Sequence, residues 1–207
     1  MKCKNEVFLA GTVVTPFRFN QSCYGKDFYL VTVATERLSG TLDTVKVLVR
    51  KNDVDITKDY AGRRVEVRGS YRSTHERVGN ENRLFLSVLA KEFIVYETSK
   101  ALPFDETRIE LDGFICRKSN LRETPPGRTI CDTMIAVQRN EVSDYIPIIA
   151  WGRNAKYLSE LPVGSKITVN GRIQSREYQK RKEDGTFETR TYNEVSICEI
   201  MKWKDDL

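Results

Sequence analysis

"GRRVEVRGSYRS", residues 62–73, returns as "GSKITVNGRIQS" at residues 164–175. Gly62 falls on Gly164, Gly69 on Gly171 and Ser73 on Ser175, and the same offset of 102 carries Gly11 onto Gly113, Ala34 onto Ala136 and Arg37 onto Arg139. Self-similarity at one fixed spacing means that one folding unit is written twice. "VFLAGTV" pairs with "IELDGFI" and "VTVATER" with "TMIAVQR". Beyond the turns "THERVGNENR" and "REYQKRKEDGTFETR" the offset grows by five, and "LSVLAKEF" meets "NEVSICEI". The units span 1–97 and 108–203, and residues 98–107, with a proline among small polar residues, read as the linker between them.

Apolar residues alternate along short runs punctuated by turn residues, the signature of strands in a small barrel or sandwich. In the second unit the strands are expected near 108–117, 129–139, 144–151, 165–178 and 188–200. "NAKYLSEL", 154–161, breaks the alternation by spacing Ala155, Leu158 and Leu161 for one short helix, with Asn154 as its N-cap. Five strands with a helix between the third and fourth is the order of an OB-fold. The chain therefore reads as all-β, two tandem five-stranded OB-fold barrels, each with one short helix between strands 3 and 4.

A chain of 207 residues, 40% hydrophobic and 30% charged, has the balance of a water-soluble globular protein, and no apolar run approaches the roughly 20 residues of a membrane span. The start "MKCKNEVFLAG" holds no apolar core of a signal peptide, which points to the cytoplasm. The five cysteines are scattered without a C-x-x-C pair and His75 is the single histidine, so neither a structural metal nor any cofactor is expected. Carboxylates are dispersed, without the cluster a metal-dependent nuclease needs, so no enzyme is expected.

Chemistry concentrates in the second unit. Along its fourth strand Ile167, Val169 and Ile173 take one face, and Thr168, Asn170, Arg172, Gln174, Arg176 and Tyr178 take the other. Guanidinium groups neutralise phosphates and aromatic rings stack on splayed bases, so this interleaving suits a single strand of nucleic acid. The hairpin that follows adds Lys180, Arg181 and Lys182. In "YIPIIAWG", 145–152, Tyr145 and Trp151 lie six apart and point the same way along a strand, as part of a core or as a platform for something that stacks.

"LRETPPGRTICDTMIAVQRN", "YIPIIAWG" and "GRIQSREY" resemble, in this order, the bacterial single-stranded DNA-binding protein family. The resemblance is strong over residues 108–200 and weak over the first unit. It implies OB-folds, assembly of four of them, and binding of single-stranded DNA without sequence specificity in replication, recombination or repair, with no catalysis. It places stacking rings at Tyr145, Trp151 and Tyr178, and basic contacts at Arg122, Arg172 and Arg176. "NEVSD" stands where the family has a further stacking aromatic. Two folds per chain imply a homodimer. "MKWKDDL" holds at most a fragment of the acidic and hydrophobic tip by which the family recruits replication and repair proteins.

The first unit departs from this pattern. At an offset of 102, Tyr145 falls on Asp43, Trp151 on Val49 and Tyr178 on Glu76, so all three rings are lost. The face read as Val45, Val47 and Val49 suits burial against another surface, although the register then sends Lys46 inward. That face supports an alternative, a primosome-type or other protein-interaction accessory factor with weak DNA binding. Residues 1–100 hold 17 of the 34 basic residues and 12 of the 29 acidic ones, a net of +5, which leaves 17 and 17 beyond. Arg63, Arg64, Arg68, Arg72 and Arg77 are thus candidates for general attraction of a phosphate backbone.

Overall fold

The computed structural model describes residues 3–79, 81–97, 104–181 and 185–202. Most of the linker, Lys182 and the terminal stretch from Trp203 lie outside these residues. The strands are β1 (Asn5–Val13), β2 (Arg18–Cys23), β3 (Lys26–Glu36), β4 (Leu42–Arg50), β5 (Arg64–Val78) and β6 (Glu81–Tyr96) in the first half. In the second half they are β7 (Glu106–Ile115), β8 (Asn120–Glu123), β9 (Thr129–Arg139), β10 (Val142–Trp151), β11 (Lys166–Arg181) and β12 (Phe187–Lys202), with α1 (Gly152–Glu160) between β10 and β11. Among the described residues the fold is all-β apart from this helix and one 3-10 turn at Lys51–Asp53.

All twelve strands belong to one hydrogen-bonded sheet in the order β2-β3-β4-β6-β5-β1-β7-β11-β12-β10-β9-β8. Extra pairings of β3 with β1 and of β7 with β9 return each half upon itself, so five strands per half make a circuit. Repeated glycines make room for these turns of the sheet. A Cβ on Gly11 would lie 2.3 Å from the Ala34 carbonyl oxygen, and one on Gly113 would lie 2.9 Å from that of Ala136. At Gly69 and Gly171 the ladder slips, and a Cβ there would lie 2.3 Å and 2.2 Å from the Leu89 and Ser196 carbonyl oxygens. Side chains are excluded where strands approach this closely.

Along the strands of each circuit, alternating residues such as Leu9, Val31, Val47, Val67 and Val88 in the first half, and Leu111, Ile135, Ile148, Val169 and Val195 in the second, are buried in the core. Ala155 and Leu158 bring α1 onto the second half. Among the described residues no such helix lies between β4 and β5 of the first half, contrary to the expectation of one per unit. Residues 51–61 carry no apolar i, i+3 pair, and their aspartates bind nearby backbone instead: Asp55 accepts from the Thr57 amide at 3.2 Å and Asp59 from the Ala61 amide at 2.9 Å. Such local bonds favour turns over helix. Nor does Asn154 cap α1. The helix starts at Gly152, whose φ of 56° lets the strand turn directly into it, and the Asn154 amide instead donates to the Cys198 carbonyl at 2.9 Å.

Several contacts join the halves, and two of them follow the repeat. β1 runs antiparallel to β7. Beyond that seam, Asp43 accepts from the Ser175 amide at 2.6 Å, and Asp144 accepts from the Ser73 amide at 3.0 Å. The serine hydroxyls accept in return, Ser175 from the Thr44 amide at 2.9 Å and Ser73 from the Tyr145 amide at 2.7 Å. This reciprocity matches Asp43 with Asp144 and Thr44 with Tyr145, an offset of 101 rather than 102, because the chain from Ala34 to its partner Thr44 is one residue longer than that from Ala136 to its partner Tyr145. Val45, Val47 and Val49 therefore correspond to Ile146, Ile148 and Ala150, and all six are core residues. The valine face is not a docking surface, and Lys46 points outward.

Candidate nucleic-acid interface

The outer face of the second half is built by alternation. On β10, Ile146, Ile148 and Ala150 enter the core, which turns Tyr145, Pro147, Ile149 and Trp151 outward beside Met134 and Asp132 of β9. Pro147 and Ile149 are covered by their neighbours, whereas Tyr145 and Trp151 remain 42% and 37% exposed. The Trp151 indole donates to the Ser196 hydroxyl at 3.1 Å, which fixes the ring against β12. β12 turns Tyr192, Glu194 and Ser196 to this face while Val195 and Ile197 fill the core.

β11 adds Arg176 and Tyr178, the latter 44% exposed. Gln174 departs from the expected solvent-facing pattern, being buried and donating to Glu194 at 2.8 Å.

A groove of about 610 Å³ runs across this face, lined by Arg117, Lys118, Arg122, Arg176, Tyr178 and Tyr192, with Pro147 at its floor. It brings together three residues singled out from the sequence: Arg122, Arg176 and Tyr178. Tyr145 and Trp151 flank it on the same sheet face without lining it. Two carboxylates temper its charge. Asp132 accepts from Arg122 at 2.8 Å, and Glu194 lies 3.9 Å from Arg176. The Arg176 guanidinium sits 5.8 Å from the centre of the Tyr192 ring. Burial, and after it the Glu194 charge, push the Tyr192 hydroxyl up to about 12, so this ring stays neutral at physiological pH.

The remaining candidates go elsewhere. Arg172 opens onto a different groove at the β1–β7 seam, where Phe8 lies between the guanidinium groups of Arg68 and Arg108 at 4.8 Å and 4.7 Å. Lys180 is engaged by Glu81 of the first half, and Arg181 is exposed on the hairpin. Arg64 is held by Asp105 and Arg72 by Asp144 at 2.8 Å, so neither is the loose surface charge the sequence suggested. Arg117, Lys118 and Tyr192 were not singled out. Tyr192 was legible, since it shares parity with Glu194 and opposes that of Val195 and Ile197. In the first half, the residues matching Tyr145, Pro147, Ile149 and Trp151 are Thr44, Lys46, Leu48 and Arg50. The Lys46 ammonium donates to Thr32 at 3.1 Å, and its pKa is lowered by burial and by Arg18.

A groove that sets guanidinium groups and aromatic rings on one face of the sheet has the chemistry of a binding surface. The description "Single-strand binding protein family" matches residues 106–200. Over 107 residues the chain is 30% identical to single-stranded DNA-binding protein 2 of Clostridium acetobutylicum, spanning 46% of this chain and 77% of that one. Over 80 residues it is 35% identical to the single-stranded DNA-binding protein of Oceanobacillus iheyensis, of which it spans 50%. The chain belongs to the single-strand binding protein family, a non-catalytic family. Its whole length also shares the fold of the wild-type single-stranded DNA binding protein from Thermus aquaticus, with a TM-score of 0.72, 21% identity, and coverage of 100% of this chain and 96% of that one.

Proposed function

We propose that the chain binds single-stranded DNA without sequence specificity, chiefly through its second half, in replication, recombination or repair. The observation that carries this reading is the groove in which Arg122 and Arg176 meet Tyr178 and Tyr192, flanked by the exposed rings of Tyr145 and Trp151. Cations for phosphate and rings for bases on one face are what a sequence-tolerant single-strand site requires.

In this reading the circuits are two OB-fold barrels, bounded near 1–97 and 108–203 with 98–107 as the linker, and the first barrel supplies a scaffold and general attraction. Two chains associate into a cytoplasmic homodimer of four barrels, with replication or repair proteins as further partners. Light scattering at the mass of a dimer supports that assembly, and a stable monomer removes it.

The direct test of binding is fluorescence anisotropy of a labelled oligothymidine of several tens of nucleotides. Wild type is expected to bind in a salt-dependent manner, and Trp151→Ala with Tyr178→Ala to lose about 1–3 kcal/mol per stacked base. Equal binding by the double variant would move the site off this face.

A further inference from the structure

The long hairpins of the two halves, β5–β6 and β11–β12, meet at their far ends. Glu81 opens β6 and reaches across to the second half. Its carboxylate takes Lys180 on one oxygen and, on the other, the Arg190 guanidinium at 2.9 Å. Arg83 stands close by, its Nε 3.5 Å from the Glu81 carboxylate and a terminal nitrogen 3.8 Å from Glu188. That Nε is buried and makes no hydrogen bond. Arg190 completes the cluster through Glu188 at 2.8 Å, and pairs across the β11–β12 ladder with Tyr178. Three cations thus surround Glu81 at the edge of the groove. The sequence reading placed Lys180 on nucleic acid, and here a carboxylate of the same chain fills that role.

An ammonium and a guanidinium converging on one anion is a geometry that also recognises phosphate. A carboxylate has two oxygens, and both are taken, which leaves the Arg83 Nε unsatisfied. A phosphodiester group in the same place brings more acceptor oxygens over a larger volume.

We propose that Lys180, Arg190 and Arg83 form a phosphate site that Glu81 occupies in the free protein and that a single-stranded DNA backbone takes by displacing it. The inference rests on the single-stranded DNA reading. It makes the first half a regulator of the second: Glu81 holds the hairpins together and masks cations until a strand entering past Tyr178 competes for them. Glu81 weakens binding at low occupancy and steepens the requirement for a strand long enough to reach the hairpin.

The test compares wild type with Glu81→Gln in anisotropy titrations of labelled oligothymidine over a salt series. Glu81→Gln should bind about three- to tenfold more tightly, because the cations no longer give up a carboxylate before they take the phosphate. The charge-matched control Glu92→Gln, on the exposed part of β6, should stay within about twofold of wild type, as an exposed charge far from the contact does. Glu81→Gln with Arg190→Gln should lose the gain. Unchanged or weaker binding by Glu81→Gln, or an equal gain in Glu92→Gln, overturns the proposal and leaves the single-stranded DNA reading standing. If no variant binds oligothymidine, that reading falls, and calorimetry with inorganic tripolyphosphate decides the site. Tighter tripolyphosphate binding by Glu81→Gln, lost with Arg190→Gln, upholds it, and equal binding overturns it.

Discussion

Val7 pairs across the seam with Ile109, the residue that stands for it in the second copy of the repeat. Asn5 faces Leu111 and Leu9 faces Thr107, so the register reverses about that one pair, as an isologous contact does about a twofold axis. The reciprocal Asp43–Ser175 and Asp144–Ser73 contacts repeat the same symmetry on the other side. The chain therefore folds as a twofold pair of similar units made covalent. Symmetry holds in the strand pairing and in the reciprocal contacts between halves, and fails at α1 and at the outer sheet faces, where rings and guanidinium groups gather on the second half.

Equivalent positions in the repeat should respond alike when they serve the fold. Gly171→Ala drives a Cβ to 2.2 Å from the Ser196 carbonyl and Gly69→Ala to 2.3 Å from the Leu89 carbonyl, both backbone atoms that cannot rotate away. Each substitution is expected to cost about 1–3 kcal/mol, the usual penalty of overpacking. Urea denaturation checks this, and a neutral result at either glycine would mean that the strands separate there at little cost.

The clasp between halves makes a second comparison. Asp144 is 1% exposed and Asp43 is 2% exposed, and each binds an arginine together with a backbone amide. Removing one member leaves a guanidinium without its carboxylate, so Asp144→Ala and Asp43→Ala should each destabilise the protein by about 3 kcal/mol. Restoring part of the loss in Asp144→Ala by adding Arg72→Ala would show that the unpaired charge, and not the missing volume, carries the cost. Additive losses would argue the opposite.

The strands of the second half were legible because apolar residues recur at Ile167, Val169 and Ile173 on β11 and run unbroken from Ile146 to Ala150 on β10. The short β8 was missed because its four residues are all exposed on an edge and carry no alternation. The valine face was misread through one residue of loop length: a period-two pattern turns inside out when the register moves by one, and Asp43 was matched to Tyr145 in place of Asp144. Lys46 pointing inward was the sign of that slip. Tyr178 and Arg176 were found from local interleaving, whereas Arg117 and Lys118 reach the groove from the connection between β7 and β8, a placement that no local spacing encodes. The engagement of Lys180 by Glu81 joins residues 99 apart in sequence, and surface charge patterning carries no trace of it.

Tyr192 tests whether the groove itself receives a base. Its ring lines the groove with the Arg176 guanidinium 5.8 Å from its centre, and its hydroxyl is held protonated well beyond neutrality by burial and by Glu194. If the ring stacks, Tyr192→Phe should bind oligothymidine as wild type does, while Tyr192→Ala should lose about 1–3 kcal/mol, the worth of one stacked base. A group whose folded pKa is raised to about 12 takes up no charge across the working range, so wild type and Tyr192→Phe should show the same affinity from pH 7 to pH 9, as a neutral ring requires. Anisotropy at three pH values separates the alternatives. A fall in affinity with pH that Tyr192→Phe abolishes would show that the phenol ionises beside the phosphates. Unaltered binding by Tyr192→Ala would place the strand over Tyr145 and Trp151 alone, outside the groove.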